Sequence, residues 1–200
     1  MRSWLAAVVL QAASVLLDYP AGGTDLQLVQ AAVDELPRGS SSLTLRRFLE
    51  WWRPLACAER ESVYVETFDL CHNASLYLTE GRAGSPADRG ATLLALRRGY
   101  EEAGLAVSRD ELPDYLPLML EVAAQEPACL PLLAAQRPAI DHLRASLGVL
   151  DSPFRYVLDA ILAVLPARPS DAPWDGLSGG STFGRGDDEK SPPRTLKDMR

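Results

Sequence analysis

Apolar positions recur at three- and four-residue intervals along most of the chain, the period of helix faces rather than the two-residue alternation of strands. Leu5, Val8, Val9, Ala12, Ala13 and Leu16 form a first stripe, ended by Asp18-Tyr19-Pro20. After Pro20-Ala21-Gly22-Gly23, a second helix is expected over about 24 to 36, with Leu26, Val29, Val33 and Leu36 inward and Pro37-Arg38-Gly39 as its stop. Ser40 to Ser42 offer a cap for a third helix carrying Leu45, Phe48, Leu49 and Trp52. A fourth is predicted to open at Pro54 and to carry Tyr64, Val65, Phe68 and Leu70 inward.

Ser85-Pro86-Ala87-Asp88 reads as a helix start, followed by Leu93, Leu96, Tyr100 and Ala103. Ser108-Arg109-Asp110-Glu111 matches a capping box ahead of Leu112, Leu116, Met119, Leu120 and Ala123. Tyr115, Leu118 and Val122 make the other face apolar too, which predicts a central helix. Pro113 and Pro117 remove backbone donors there, so nearby carbonyls are expected to be left free. Leu130, Leu133, Ile140, Leu143 and Leu147 continue the pattern with a bend at Pro138, ended by Gly148. Ser152-Pro153 then opens a last stripe of Phe154, Val157, Leu158, Ile161, Leu162 and Leu165. The expectation is an all-α, single-domain bundle of about seven to eight helices over residues 1 to 167. Residues 168 to 200, rich in Pro, Gly, Ser and Asp, are expected to form a disordered tail with Trp174, Leu177 and Phe183 as its points of attachment.

Charge narrows the classes of partner. A net charge of −7 and a pI near 4.9 argue against a nucleic-acid or anionic-membrane surface and favour basic partners. Met1-Arg2 followed by an apolar run superficially fits a secretory signal, but Gln11 and Ser14 interrupt the run and its spacing is that of an amphipathic helix. No stretch reaches the roughly 18 to 20 apolar residues of a membrane span, and a soluble, cytoplasmic protein is expected. Cys57, Cys71 and Cys129 are widely spaced and lack zinc-ligand spacing. Cys71-His72 is a poor nucleophile and base pair, because neighbours on a helix diverge by about 100°. Neither His72 nor His142 follows a glutamate by three residues, as a helical-bundle metal site would require. No catalytic, metal or cofactor constellation emerges.

Three stretches carry a resemblance: Leu16-Leu17-Asp18-Tyr19-Pro20, Tyr64-Val65-Glu66-Thr67-Phe68-Asp69, and Glu111 to Glu121, which reads ELPDYLPLMLE. With Asp88-Arg89-Gly90, Tyr100 and Gly104-Leu105, they cover most of residues 16 to 125. In their order and spacing they resemble the NarJ group of the TorD/DmsD family of assembly chaperones. The resemblance implies a non-enzymatic all-α protein without a cofactor of its own. Such a protein binds the N-terminal peptide of a nitrate reductase catalytic subunit and keeps it competent for molybdenum cofactor insertion, with cofactor-delivery proteins as further partners. A chaperone for another molybdoenzyme of the dimethyl sulfoxide reductase family is the alternative. An apolar groove with an acidic rim would suit a basic amphipathic leader.

The peptide-binding candidates are Tyr64, Phe68, Asp69, Arg89, Pro113, Asp114, Tyr115, Leu116, Pro117, Leu120 and Glu121. Tyr64 and Phe68 either line the groove or pack in the core. Asp69 either receives a cation or caps the following turn, and Glu111 serves mainly as the capping partner of Ser108. Asp114 is a candidate for hydrogen bonding freed backbone or a peptide N–H. Arg89 either pairs with an acid inside the bundle or faces the groove. Many relatives carry His where this chain has Tyr115, so a handover driven by imidazole protonation is not expected.

Overall fold

The computed structural model describes residues 2–21, 26–80, 86–106, 111–166 and 194–195. Nine α-helices occur among them: α1 (Arg2–Leu17), α2 (Leu26–Asp34), α3 (Ser40–Trp52), α4 (Cys57–Tyr64), α5 (Pro86–Glu102), α6 (Leu116–Gln125), α7 (Leu130–Ala135), α8 (Arg137–Val149) and α9 (Arg155–Val164). Helix α1 packs along α6 and α9, while α3 and α8 close on α9 from other sides. The fully buried Val9, Leu16, Leu45, Phe48, Leu120, Leu147, Phe154 and Ile161 come from the stripes that the spacing predicts. Phe154 lies 5.1 Å from the Phe48 ring and 4.7 Å from that of Phe68, which joins α3, the start of α9 and the turn that follows α4 through aromatic contacts.

The departures from the expected elements have local causes. Pro54 lies in a turn, and α4 begins three residues later, where the Glu59 carboxylate accepts the Ala56 N–H at 2.8 Å. Beyond Tyr64 the chain widens into a π turn, Val65–Asp69, in which the Leu70 N–H bonds the Val65 carbonyl at 3.0 Å. The extra residue shifts the register, so Leu70, expected inward, is 72% exposed. Pro138 cannot donate to the carbonyl four residues back; instead of one bent helix the chain forms α7 and α8, separated at Gln136.

The predicted helix from 112 begins instead at Leu116, five residues beyond Glu111. Ser108 lies outside the described residues. The Leu116 N–H bonds the Leu76 carbonyl (2.9 Å) and Leu78 N–H the Asp114 carbonyl (3.1 Å), an antiparallel bridge of Tyr77 with Tyr115, while Pro113 and Asp114 form a turn closed by the Tyr115 N–H on the Leu112 carbonyl (3.1 Å). The proline carbonyls are not free. Pro117 has no N–H for the Pro113 oxygen, and the buried Tyr100 hydroxyl donates to it at 2.9 Å. The Ser14 hydroxyl of α1 likewise donates to the Pro117 carbonyl at 2.8 Å.

Most of the expected tail, including Trp174, Leu177 and Phe183, lies outside the described residues. Its described part, Arg194–Thr195, pairs in parallel with Leu105–Ala106. Among the described residues no helix is long and apolar enough to cross a membrane.

Tyr100→Phe removes the donor to a buried carbonyl and should lower the unfolding free energy by about 1–3 kcal/mol. Urea denaturation reads this as a lower midpoint at unchanged m-value; an unchanged midpoint would mean that the Pro113 carbonyl finds another donor.

Candidate functional site

The π turn and the Pro113–Pro117 segment meet at one end of α1, and they bring four tyrosines into a row. Tyr64, at the end of α4, is buried and donates to the Leu17 carbonyl at 3.1 Å. Its hydroxyl oxygen lies 3.3 Å from that of Tyr115, which donates to Asp18 Oδ1 at 3.2 Å. The Tyr19 ring stands edge-on to Tyr64 at 5.4 Å, and Tyr77 lies 5.2 Å from Tyr115 on the other side. The outer rings of this strip, Tyr19 and Tyr77, are 44% and 38% exposed. Leu112, 41% exposed, accepts the Tyr115 N–H at its carbonyl (3.1 Å).

Behind Tyr77 sits Asp114, fully buried between the two prolines. The Thr79 backbone N–H and hydroxyl donate to Asp114 Oδ2 at 3.0 and 2.6 Å, and Arg89 Nε donates to the Thr79 hydroxyl oxygen at 3.2 Å. Arg89 thus reaches an internal acid through a threonine. Among the described residues Asp114 Oδ1 is buried without a hydrogen-bond partner. An unsatisfied oxygen of this kind carries a desolvation cost and calls for a reason.

Carboxylates surround the strip. Burial raises the Tyr64 phenol above its usual range, and the negative charges of Asp18 and Asp69 push in the same direction. Burial also raises Tyr77, followed by Asp114, Glu111, Glu80 and Asp69. Tyr115 is raised by burial, then by Tyr64 and Asp18. The phenols therefore stay neutral at physiological pH. Aromatic faces in a field of carboxylates attract cations and apolar side chains. Among the described residues no three His, Cys, Asp or Glu side chains gather as metal ligands.

The predicted residues divide between surface and interior. Tyr64 and Tyr115 belong to the strip, with Asp114 and Arg89 behind it. Phe68, Leu116 and Leu120 are in the core, and Pro113 and Pro117 are buried. Glu121 is also buried and receives Gln125 Nε2 at 3.4 Å. Asp69 is exposed; the 3-10 turn His72–Ala74 starts from Cys71, two residues beyond it, so Asp69 is not its cap. Sequence reasoning missed Tyr19, Tyr77, Thr79 and Asp18 as site residues. Buried Ala74, Leu76 and Leu78 alternate with the more exposed Ser75 and Tyr77, a two-residue period that could have marked Tyr77. A separate apolar groove of about 260 Å³, lined by Ala6, Leu10, Ala123, Leu130 and Val164 among others, contains none of the predicted site residues.

Each raised phenol lies above its value in the unfolded chain. Its stabilising contribution is complete below about pH 10 and is lost as pH rises towards the folded value, because the unfolded state releases a proton that the native state keeps. Burial, with Glu126 adding, pushes the Cys129 thiol from 9.0 to about 11, with the same sign. The urea midpoint should therefore fall from about pH 9 upward. Phenylalanine at positions 64 and 115 should flatten that slope by up to about 1.4 kcal/mol per pH unit for each phenol removed. An unaltered slope would show that these hydroxyls titrate normally.

The model of the nitrate reductase delta subunit family matches residues 34–155. The chain is 36% identical over 158 residues to the nitrate reductase-like protein NarX of Mycobacterium tuberculosis, covering 77% of this chain and 24% of NarX. It is 32% identical over 165 residues to the probable nitrate reductase molybdenum cofactor assembly chaperone NarJ of Bacillus subtilis, covering 79% of this chain and 88% of that protein. The assembly chaperone NarJ of Escherichia coli is 32% identical over 160 residues, 74% of this chain and 66% of its own length. The chain thus spans about a quarter of NarX and most of the Bacillus protein. With a match over more than half of its length, the chain belongs to the nitrate reductase delta subunit family.

Proposed function

We propose that this protein is an assembly chaperone for a nitrate reductase, working in the cytoplasm. It holds the N-terminal segment of the catalytic subunit so that the apoprotein stays open to molybdenum cofactor insertion. The observation that carries this reading is the Tyr19–Tyr64–Tyr115–Tyr77 strip among carboxylates, three of whose rings, Tyr19, Tyr64 and Tyr115, come from stretches that resemble the NarJ group. The likeness to two NarJ chaperones supports the choice of client.

An amphipathic client helix lays its apolar side chains across the exposed rings of Tyr19 and Tyr77. Its basic residues face Asp18, Asp69, Glu80 and Glu111, which lengthens attraction beyond contact range and orients the approach. Phe68, Leu116 and Leu120 act from beneath by keeping the rings in line. Asp114, with Thr79 and Arg89, fixes the Leu76–Thr79 segment and through it Tyr77. The reading requires no bond-making chemistry from the chain, and the cofactor remains the cargo of the client.

Isothermal titration calorimetry with a peptide of the first few tens of residues of the cognate catalytic subunit tests this directly. The native peptide should bind one-to-one and a scrambled peptide should not. Tyr19→Ala and Tyr77→Ala should each weaken binding about three- to tenfold, the range for losing an aromatic contact, with little change in melting temperature because both rings are partly exposed. Raising salt should weaken it further. Equal affinity of the ring variants would move the site elsewhere, with the apolar α1–α6–α9 groove next. Binding only of a leader from a dimethyl sulfoxide or trimethylamine N-oxide reductase would replace the client.

A further inference from the structure

Beside Tyr77, a cleft of about 420 Å³ opens between residues 72–80 and the first half of α8. Its floor is apolar, with the buried Leu78 and Leu143. Its polar side chains are His72, Asn73, Ser75, Tyr77, Glu80 and His142, and His72 and His142 are the only two histidines of the chain. The Ser75 hydroxyl donates to Glu80 Oε2 at 2.5 Å and helps to fix the carboxylate on the cleft wall.

The one acidic side chain among the described lining residues is Glu80, set among groups that can accept hydrogen bonds. The two imidazoles bring ring nitrogens and flat faces, Asn73 an amide oxygen, Glu80 a carboxylate and Tyr77 a ring face. None of the described lining residues is an arginine or lysine. Arg137, next to Pro138 at the rim, reaches away to the Leu162 and Leu165 carbonyls, at 3.3 Å each. An apolar floor below acceptors suits a side chain with an aliphatic stem and a cationic, donor-rich head. The planar, five-donor guanidinium matches several acceptors and a ring face better than a compact ammonium does.

We infer that this cleft is a cation pocket that takes one arginine side chain of the same client segment whose apolar face lies on the tyrosine strip. This rests on the chaperone reading above. Tyr77 borders both surfaces, so a peptide leaving the strip at Tyr77 reaches the cleft at once. The pocket thereby sets where along the client a basic residue must stand relative to its apolar face.

The test uses the full chain labelled with carbon-13 at histidine, which gives one set of imidazole signals for each of two residues. These are followed by NMR beside calorimetry while the native client peptide is added. Both imidazoles should shift, with the midpoint that calorimetry gives. A peptide series with single arginines replaced by neutral citrulline should contain one member that loses the imidazole shifts and binds about 10- to 100-fold more weakly, the range for a charge-assisted hydrogen bond. Glu80→Gln should weaken the native peptide about tenfold or more and leave that citrulline peptide unaffected, the signature of a direct pair. Tight binding of the native peptide with both imidazoles unmoved, or with Glu80→Gln indistinguishable from the parent protein, overturns the pocket and leaves the chaperone reading in place. Absence of binding by any client peptide overturns both.

Discussion

A proline nitrogen carries no hydrogen, and at Pro113 and Pro117 that omission organises one end of the molecule. Helix geometry alone cannot satisfy the backbone around Asp114, so other elements must come to it. Tyr100 of α5 supplies a hydroxyl to the Pro113 carbonyl that Pro117 leaves without a donor, the Leu76–Leu78 stretch supplies a strand-like bridge, and Ser14 of α1 adds a hydroxyl bond to the Pro117 carbonyl. Three parts of the chain are thereby tied to five residues. Buried polar groups must find partners, and here that requirement acts as a device for assembly. Tyr77, Thr79 and Arg89 are brought into line as part of the same arrangement.

The helical architecture is legible in the sequence wherever a stripe of large apolar residues repeats without interruption. Phe154, Val157, Leu158 and Ile161 are predicted inward and are fully buried. Legibility fails where backbone chemistry overrides periodicity. Leu70 continues the stripe on paper, but a five-residue hydrogen bond has already turned the chain beneath it. Leu112 also fits its stripe, yet it precedes a bridge and is 41% exposed. Local spacing records how side chains would lie on an ideal helix, whereas missing donors and distant acceptors decide whether that helix is made.

The candidate site was half legible for a related reason. Tyr64 and Tyr115 stand in stretches that resemble a known family, and Asp114 stands between two prolines, which invites a question about hydrogen bonds. Tyr77 and Thr79 lie between helices, in a segment whose short alternation is easily passed over. Phe68, Leu116 and Leu120 stand in the same stretches as the strip residues but inside the core. Residues that hold a surface in shape and residues that present it share one continuous sequence, and burial separates them only in three dimensions.

The π turn at Val65–Asp69 shows how that sharing is possible. An α-helix advances about 100° per residue, so one surplus residue rotates everything after it relative to everything before. Tyr64, ahead of the turn, and Phe68, within it, lie 4.9 Å apart and both face Phe154, whereas Leu70, just past it, faces solvent. Deleting a single residue here would knit a regular helix and turn all that follows by about 100° against the bundle. The irregularity is a splice between two rotational frames: the frame of the bundle's interior and the frame of the face it turns outward.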